Sequence, residues 1–184
     1  MLLAILLVTT TVGHAIAGVP PDLEARILAR ALAYDRALSQ HANSEVLIGV
    51  VEHPGSPTSR QQAAAIRDAF EALSNHTIQG LPLRVVILTW IDAAVFTEAL
   101  AAQDIDTLYL TAGLDGVAKT ISASAKQQGC STITGVEGYV RDGSAAIGVV
   151  VDGNRPSLLV NLPEARALKM DLDSTMLQLA EVIR

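Results

Sequence analysis

Four short runs of strand-favouring residues, each separated from the next by a turn and a helical pattern, leave this chain one broad architecture. They are Val46–Val51, Leu83–Leu88, Thr107–Leu110 and Ser131–Thr134. Val46–Val51 has no polar alternation, which is the pattern of a strand covered on both faces. The intervening segments carry apolar residues at three- and four-residue spacing. Asp22 to about Gln40 places Leu23, Ile27, Ala31, Tyr34 and Leu38 on one helical face. After the loop His53-Pro54-Gly55-Ser56-Pro57, Ser59 is the expected cap of a helix with Ala63, Ile66, Phe70 and Leu73 inward. Asp92 begins a helix through Ala93, Phe96 and Leu100; another, with Val117, Ile121 and Ala125 inward, ends at Gly129. Strand–helix alternation of this kind implies parallel strands joined by right-handed crossovers.

The pattern changes after Gly138. Ala145–Val151 and Ser157–Val160 flank Asp152-Gly153-Asn154-Arg155-Pro156, a hairpin signal. A short helix is expected from Asn161 or Leu162 through Met170, and a last one from Ser174 to Ile183. The expected fold is therefore α/β, a single domain over residues 22–184. It has a mostly parallel sheet of about four strands flanked by helices, then a C-terminal hairpin and two short helices. With 184 residues, 50% of them apolar and 17% charged, the chain can bury a core and is no disordered segment.

Residues 1–17 contain no Asp, Glu, Lys or Arg, and Leu2–Val12 has the length of a signal-peptide apolar region. Ala15-Ile16-Ala17 gives a small-x-small cleavage signature, so cleavage after Ala17 and export to the periplasm are expected. The run is too short to span a bilayer core of about 30 Å comfortably. A net charge of −6 with 3% aromatic residues argues against nucleic acid as a partner. A lone cysteine, Cys130, excludes an internal disulfide and a cysteine-based zinc cluster, and reads as a buried inert thiol, the alternative in an exported protein being an intermolecular disulfide or a redox-sensitive thiol. No cofactor motif and no metal-ligand spacing occurs among the four histidines. His14 lies in the signal segment, and no hydrolase elbow is present, so no enzyme signature emerges.

Ligands in open α/β sheets bind outside the carboxyl ends of the strands. That rule nominates His53, Ser59, Thr111 and Gly113 as candidates for a small polar ligand, in loops that also make turns and caps. His53, beside Glu52, is the one histidine placed as a base or ligand. Glu164, Arg166 and Lys169, expected to be exposed on the short helix after the hairpin, form a charged edge that could dock a partner.

The C-terminal stretch Ala145–Ile183 is the most distinctive. It holds Val160-Asn161-Leu162 at a strand end, a short Ala/Arg helix, then Leu172, Leu177 and Leu179-Ala180 before Val182-Ile183. Tyr34-Asp35-Arg36, Leu81-Pro82-Leu83-Arg84-Val85 and Leu108-Tyr109-Leu110 followed by Gly113-Leu114 agree with it. From Leu23 to Ile183 the chain resembles the YfiR-like family of exported bacterial proteins. The resemblance implies a periplasmic α/β protein without enzymatic activity. It also implies a partner: a membrane-bound signalling protein with a periplasmic sensor region, such as a diguanylate cyclase. Restraint of that enzyme would place the chain in cyclic di-GMP signalling. Homodimers and fold-supporting disulfides occur in the family; with Cys130 alone, the disulfides are absent here. The aromatic-rich segment with Trp-Pro, seen in many members, is also missing. The alternative expectation is a periplasmic small-molecule-binding protein serving a sensor or transporter, although one α/β lobe argues against transport.

Overall fold

A computed structural model describes residues 18–184. The expected signal segment, 1–17, lies outside the described residues. The core of the fold is a parallel sheet of the four expected strands, β1 (Val46–Glu52), β3 (Leu81–Thr89), β4 (Thr107–Leu110) and β5 (Ser131–Thr134), extended by β6 (Ile147–Asp152), expected only as an arm of the hairpin. β1 pairs in parallel with β3 and β4, β4 with β5, and β5 with β6. Every residue of Val46–Val51, β4 and β5 is buried, as strands covered on both faces require.

Helices cover the two faces. α1 (Pro21–Leu32) and α3 (Pro57–Glu71) pack together on one, where the ring of Tyr109 meets Phe70 edge-on at 6.4 Å. α4 (Ala93–Gln103) and α5 (Ala118–Gln128) pack together on the other. The chain leaves β1 toward β3, then returns past β1 to β4. The crevice between β1 and β4 is thus the point where strand order reverses.

The sheet is wider than the expected four or so strands. Among the described residues it has eight, in the order β2 (Thr77–Ile78), β3, β1, β4, β5, β6, β7 (Arg155–Asn161), β8 (Ala180–Ile183). The hairpin of β6 and β7 (Arg155–Asn161) continues the sheet because β6 joins β5. At the far edge, the segment expected to be helical from Ser174 to Ile183 divides: α8 (Ser174–Leu179) stops, and β8 (Ala180–Ile183) pairs in parallel with β7. Val182 and Ile183 are β-branched, and the open edge of β7 offers backbone partners that outweigh the helical spacing. β2 (Thr77–Ile78), not expected, adds an antiparallel pair beside β3.

The expected helix from Asp22 to Gln40 is also interrupted. α1 ends at Leu32, and only a turn, α2 (Leu38–His41), follows. Asp35 explains the break. Its Oδ1 accepts the backbone N–H of Ala37 at 3.1 Å and of Asp171 at 2.8 Å, bonds that compete with helical ones. The short C-terminal helix, α7, runs Leu162–Ala167 and stops before Met170. Asp92, Asn161 and Gly129 cap where expected, but α3 is capped by Ser56, whose Oγ accepts from Ser59 N at 3.2 Å.

Candidate functional site at the strand ends

The β1–β4 crevice is built from residues immediately after those strands. Thr111, one past β4, donates from Oγ1 to the carbonyl of Val51 at 2.8 Å. Ser59 lies in the first turn of α3, and its Oγ is 2.6 Å from Thr111 Oγ1. Ser59 Oγ also accepts the backbone N–H of His53 at 2.9 Å. Both hydroxyl residues are fully buried. Gly113 adopts φ +83°, and a Cβ there would overlap Ser56 Oγ, so the two loops close on each other at a glycine. His53 is half-buried; its Nδ1 accepts from Gly55 N at 3.0 Å and shapes the loop. The crevice therefore brings together His53, Ser59, Thr111 and Gly113, from two loops 52 residues apart at Ser59 and Thr111.

Beside it lies a second polar cluster that the sequence reading missed. Tyr109 OH donates to Glu24 Oε1 at 2.6 Å. Gln62 donates to the same phenol oxygen at 3.0 Å and accepts Ala112 N at 2.5 Å. Glu24 is 5% exposed, and burial pushes its carboxyl up to about 7, with the Tyr109 bond pulling the other way. Burial and the adjacent Glu24 carboxylate raise the Tyr109 phenol well above its ordinary value. A Cβ on Gly135 would fall on the Glu24 carboxylate, so that position must stay small. The one signal available in the sequence was a phenol within the apolar run Leu108-Tyr109-Leu110, which needs a buried partner but does not say which.

The other charged candidates separate. Glu164, expected to be exposed, is 6% exposed. It accepts Ser122 Oγ at 2.7 Å and pairs with Lys126 at 2.8 Å, because α7 turns this face onto α5. Arg166 and Lys169 are exposed, Lys169 at φ +60°. Cys130 is buried, its Sγ donating to Ile105 O at 2.9 Å, and burial pushes the thiol up to about 12. Among the described residues no group of His, Cys, Asp and Glu is arranged to hold a metal, and no helix is long and apolar enough to cross a membrane.

The sequence profile of one family matches residues 22–181, nearly all of this architecture. The chain belongs to the YfiR/HmsC-like family. No curated protein matched it. Among solved structures, this YfiR/HmsC-like chain is similar to a conserved domain protein from Vibrio cholerae O1 biovar El Tor, with 17% identity and TM-score 0.62 over 90% of this chain and 60% of that one. It is also similar to an ABC domain from Streptococcus pneumoniae in complex with L-Trp, with 13% identity and TM-score 0.61 over 89% and 60%. A ligand-free, open substrate-binding protein with adhesive properties from Clostridium difficile aligns at 17% identity and TM-score 0.57, over 80% and 57%. At these identities the likeness is one of fold, and the chain spans 57–60% of the length of these structures.

Proposed function

We propose that this protein is an exported, periplasmic regulatory binding protein that restrains a membrane signalling protein, such as a diguanylate cyclase, without turnover of its own. Family membership over residues 22–181 is the observation that carries this reading. The crevice is in keeping with it. Ser59 and Thr111 spend their hydroxyls on each other and on the backbone of β1 and the loop after it, and Glu24, Tyr109 and Gln62 satisfy one another beside them. Such a crevice acts as a rigid support for its loops. Arg166 and Lys169, free of ion pairs among the described residues, are the proposed partner contacts.

A second reading is a small-molecule-binding protein serving a sensor or transporter. It is favoured by the polar strand-end loops of His53, Ser59, Thr111 and Gly113 and by the L-Trp complex of one structural neighbour. The deciding experiment is affinity capture of the tagged mature protein from native-host membranes in mild detergent, followed by mass spectrometry. Recovery of a membrane protein with a periplasmic sensor and a cytoplasmic signalling domain is expected, with raised cyclic di-GMP in a deletion strain. Recovery of the protein alone, with unchanged cyclic di-GMP, overturns the regulatory reading and leaves the strand-end ligand site.

A further inference from the structure

A cavity of about 410 Å3 lies on the α1/α3 side of the sheet, at the amino ends of the strands and so away from the strand-end crevice. One wall is a stripe of α1: Arg26, Ala29, Arg30 and Ala33, at the three- and four-residue spacing that puts them on one face. Ala29, and Ala33 at the C-cap of α1, leave a trough along this wall beside the arginines. Leu73, Ile78 and Leu83, from the end of α3 and from the β2–β3 hairpin, supply apolar surface opposite. His76 and Thr77 complete the rim.

The walls are tied together. Gln79, in the turn of the hairpin at φ +53°, donates from Nε2 to the carbonyls of Asp35 at 2.6 Å and Ala33 at 3.2 Å. The hairpin is thus pinned to the chain at the end of α1, and the trough is held open by bonds that do not involve its lining side chains. The charge of the site runs against that of the molecule. The chain carries −6, yet the lining holds two guanidinium groups and an imidazole and no carboxylate. Arg26 is held by Asp22 at 2.8 Å, whereas Arg30 has no ion pair among the described residues. Arg30 is exposed, with a fork of N–H donors that no side chain among the described residues pairs. Small-molecule sites typically combine an apolar lining of this size with a few fixed polar groups.

We propose that this cavity binds a small amphipathic carboxylate, its head group on Arg30 and its apolar body in the trough between Ala29, Ala33, Ile78 and Leu83. The guanidinium matches a carboxylate in a planar, two-bonded pairing, and the trough takes a chain or ring of a few carbons. This site is independent of the partner reading above, since neither Arg166 nor Lys169 lines it.

The test uses octanoate as the probe and isothermal titration of the mature protein, with 1-octanol as the uncharged control. Saturable binding of octanoate, at least tenfold weakened in Arg30→Gln and in Ala29→Leu, is expected. Octanol should bind at least tenfold more weakly than octanoate. Arg30 is exposed, so circular dichroism and melting of Arg30→Gln should match the parent. Ala29→Leu fills the trough by a different route and keeps a strong helix former. Equal binding of octanol and octanoate, or octanoate affinity unchanged in both variants, overturns the proposal, as does no saturable binding by the folded parent protein.

Discussion

Burying Glu24 against Tyr109 makes stability depend on pH in a predictable direction. The carboxyl is raised from 4.5 to about 7 on folding, chiefly by desolvation. Because the folded value lies above the unfolded one, this group's contribution is fully present below about pH 4.5 and is lost as pH rises through about 7. At about 1.4 kcal/mol per pH unit, the loss amounts to roughly 3 kcal/mol. Glu24→Gln keeps an acceptor for the phenol and removes the charge. Melting curves should show the variant gaining on the parent between pH 5 and about pH 8, with little difference at pH 4.5. A constant offset across that range would mean the carboxyl does not titrate there. Residue by residue, the loops around His53, Ser59, Thr111 and Gly113 were legible because strand ends announce themselves. Glu24 was not: from sequence it is one more acidic residue in a helix's first turn. Only the fold reveals that Tyr109, 85 residues away, points at it. The cap expected at Ser59 and the exposure expected at Glu164 failed for a related reason. Each residue has a side chain that suits an exposed cap or rim, and each faces inward because of the element packed against it.

Elements were legible where one face of the chain decides the outcome and illegible where a distant partner does. β1, β4 and β5 sit where their runs predicted, and the caps at Asp92, Gly129 and Asn161 follow local chemistry. α1 breaks early because Asp35 bonds to Asp171, 136 residues away, and β8 forms because β7 has an edge to fill. Neither partner is visible in a local window. Two expected outcomes belong here. Asn161 caps α7 through Oδ1 to Glu164 N at 3.0 Å and donates from Nδ2 to Val140 O at 2.8 Å. Asn161→Ala should destabilise by about 1–2 kcal/mol, since it removes a cap and leaves the buried Val140 carbonyl with only the longer bond from Gly143 N, at 3.3 Å. Denaturant titration with an unchanged slope would check it. Removing residues 180–184 strips β8 from β7. The melting temperature should fall, by roughly 2–4 °C for each kcal/mol lost in a domain of this size, and light scattering on warming should rise because the edge of β7 is uncovered.

At the scale of the whole molecule, two binding surfaces would lie apart on one rigid sheet. The Arg166/Lys169 edge is the proposed partner contact. Reversing both charges, in Arg166→Glu with Lys169→Glu, should reduce membrane-partner capture at least tenfold while the melting temperature changes little, because both side chains are exposed. Capture should also weaken as salt is raised if the contact is electrostatic. Undiminished capture by the double variant would move the contact elsewhere on the protein.

The placement of β8 also orders events in time. The strand is Ala180–Ile183, in a chain whose last residue here is Arg184. A polypeptide emerging amino end first from a ribosome or a translocon exposes β7 well before anything can pair with its outer edge. The outer edge of β7 stays open until β8 has appeared, so the sheet closes only after synthesis or transfer of that segment. Any tag joined after Arg184 begins one residue beyond the sealing strand. A tag joined ahead of Gly18 would leave that pairing untouched.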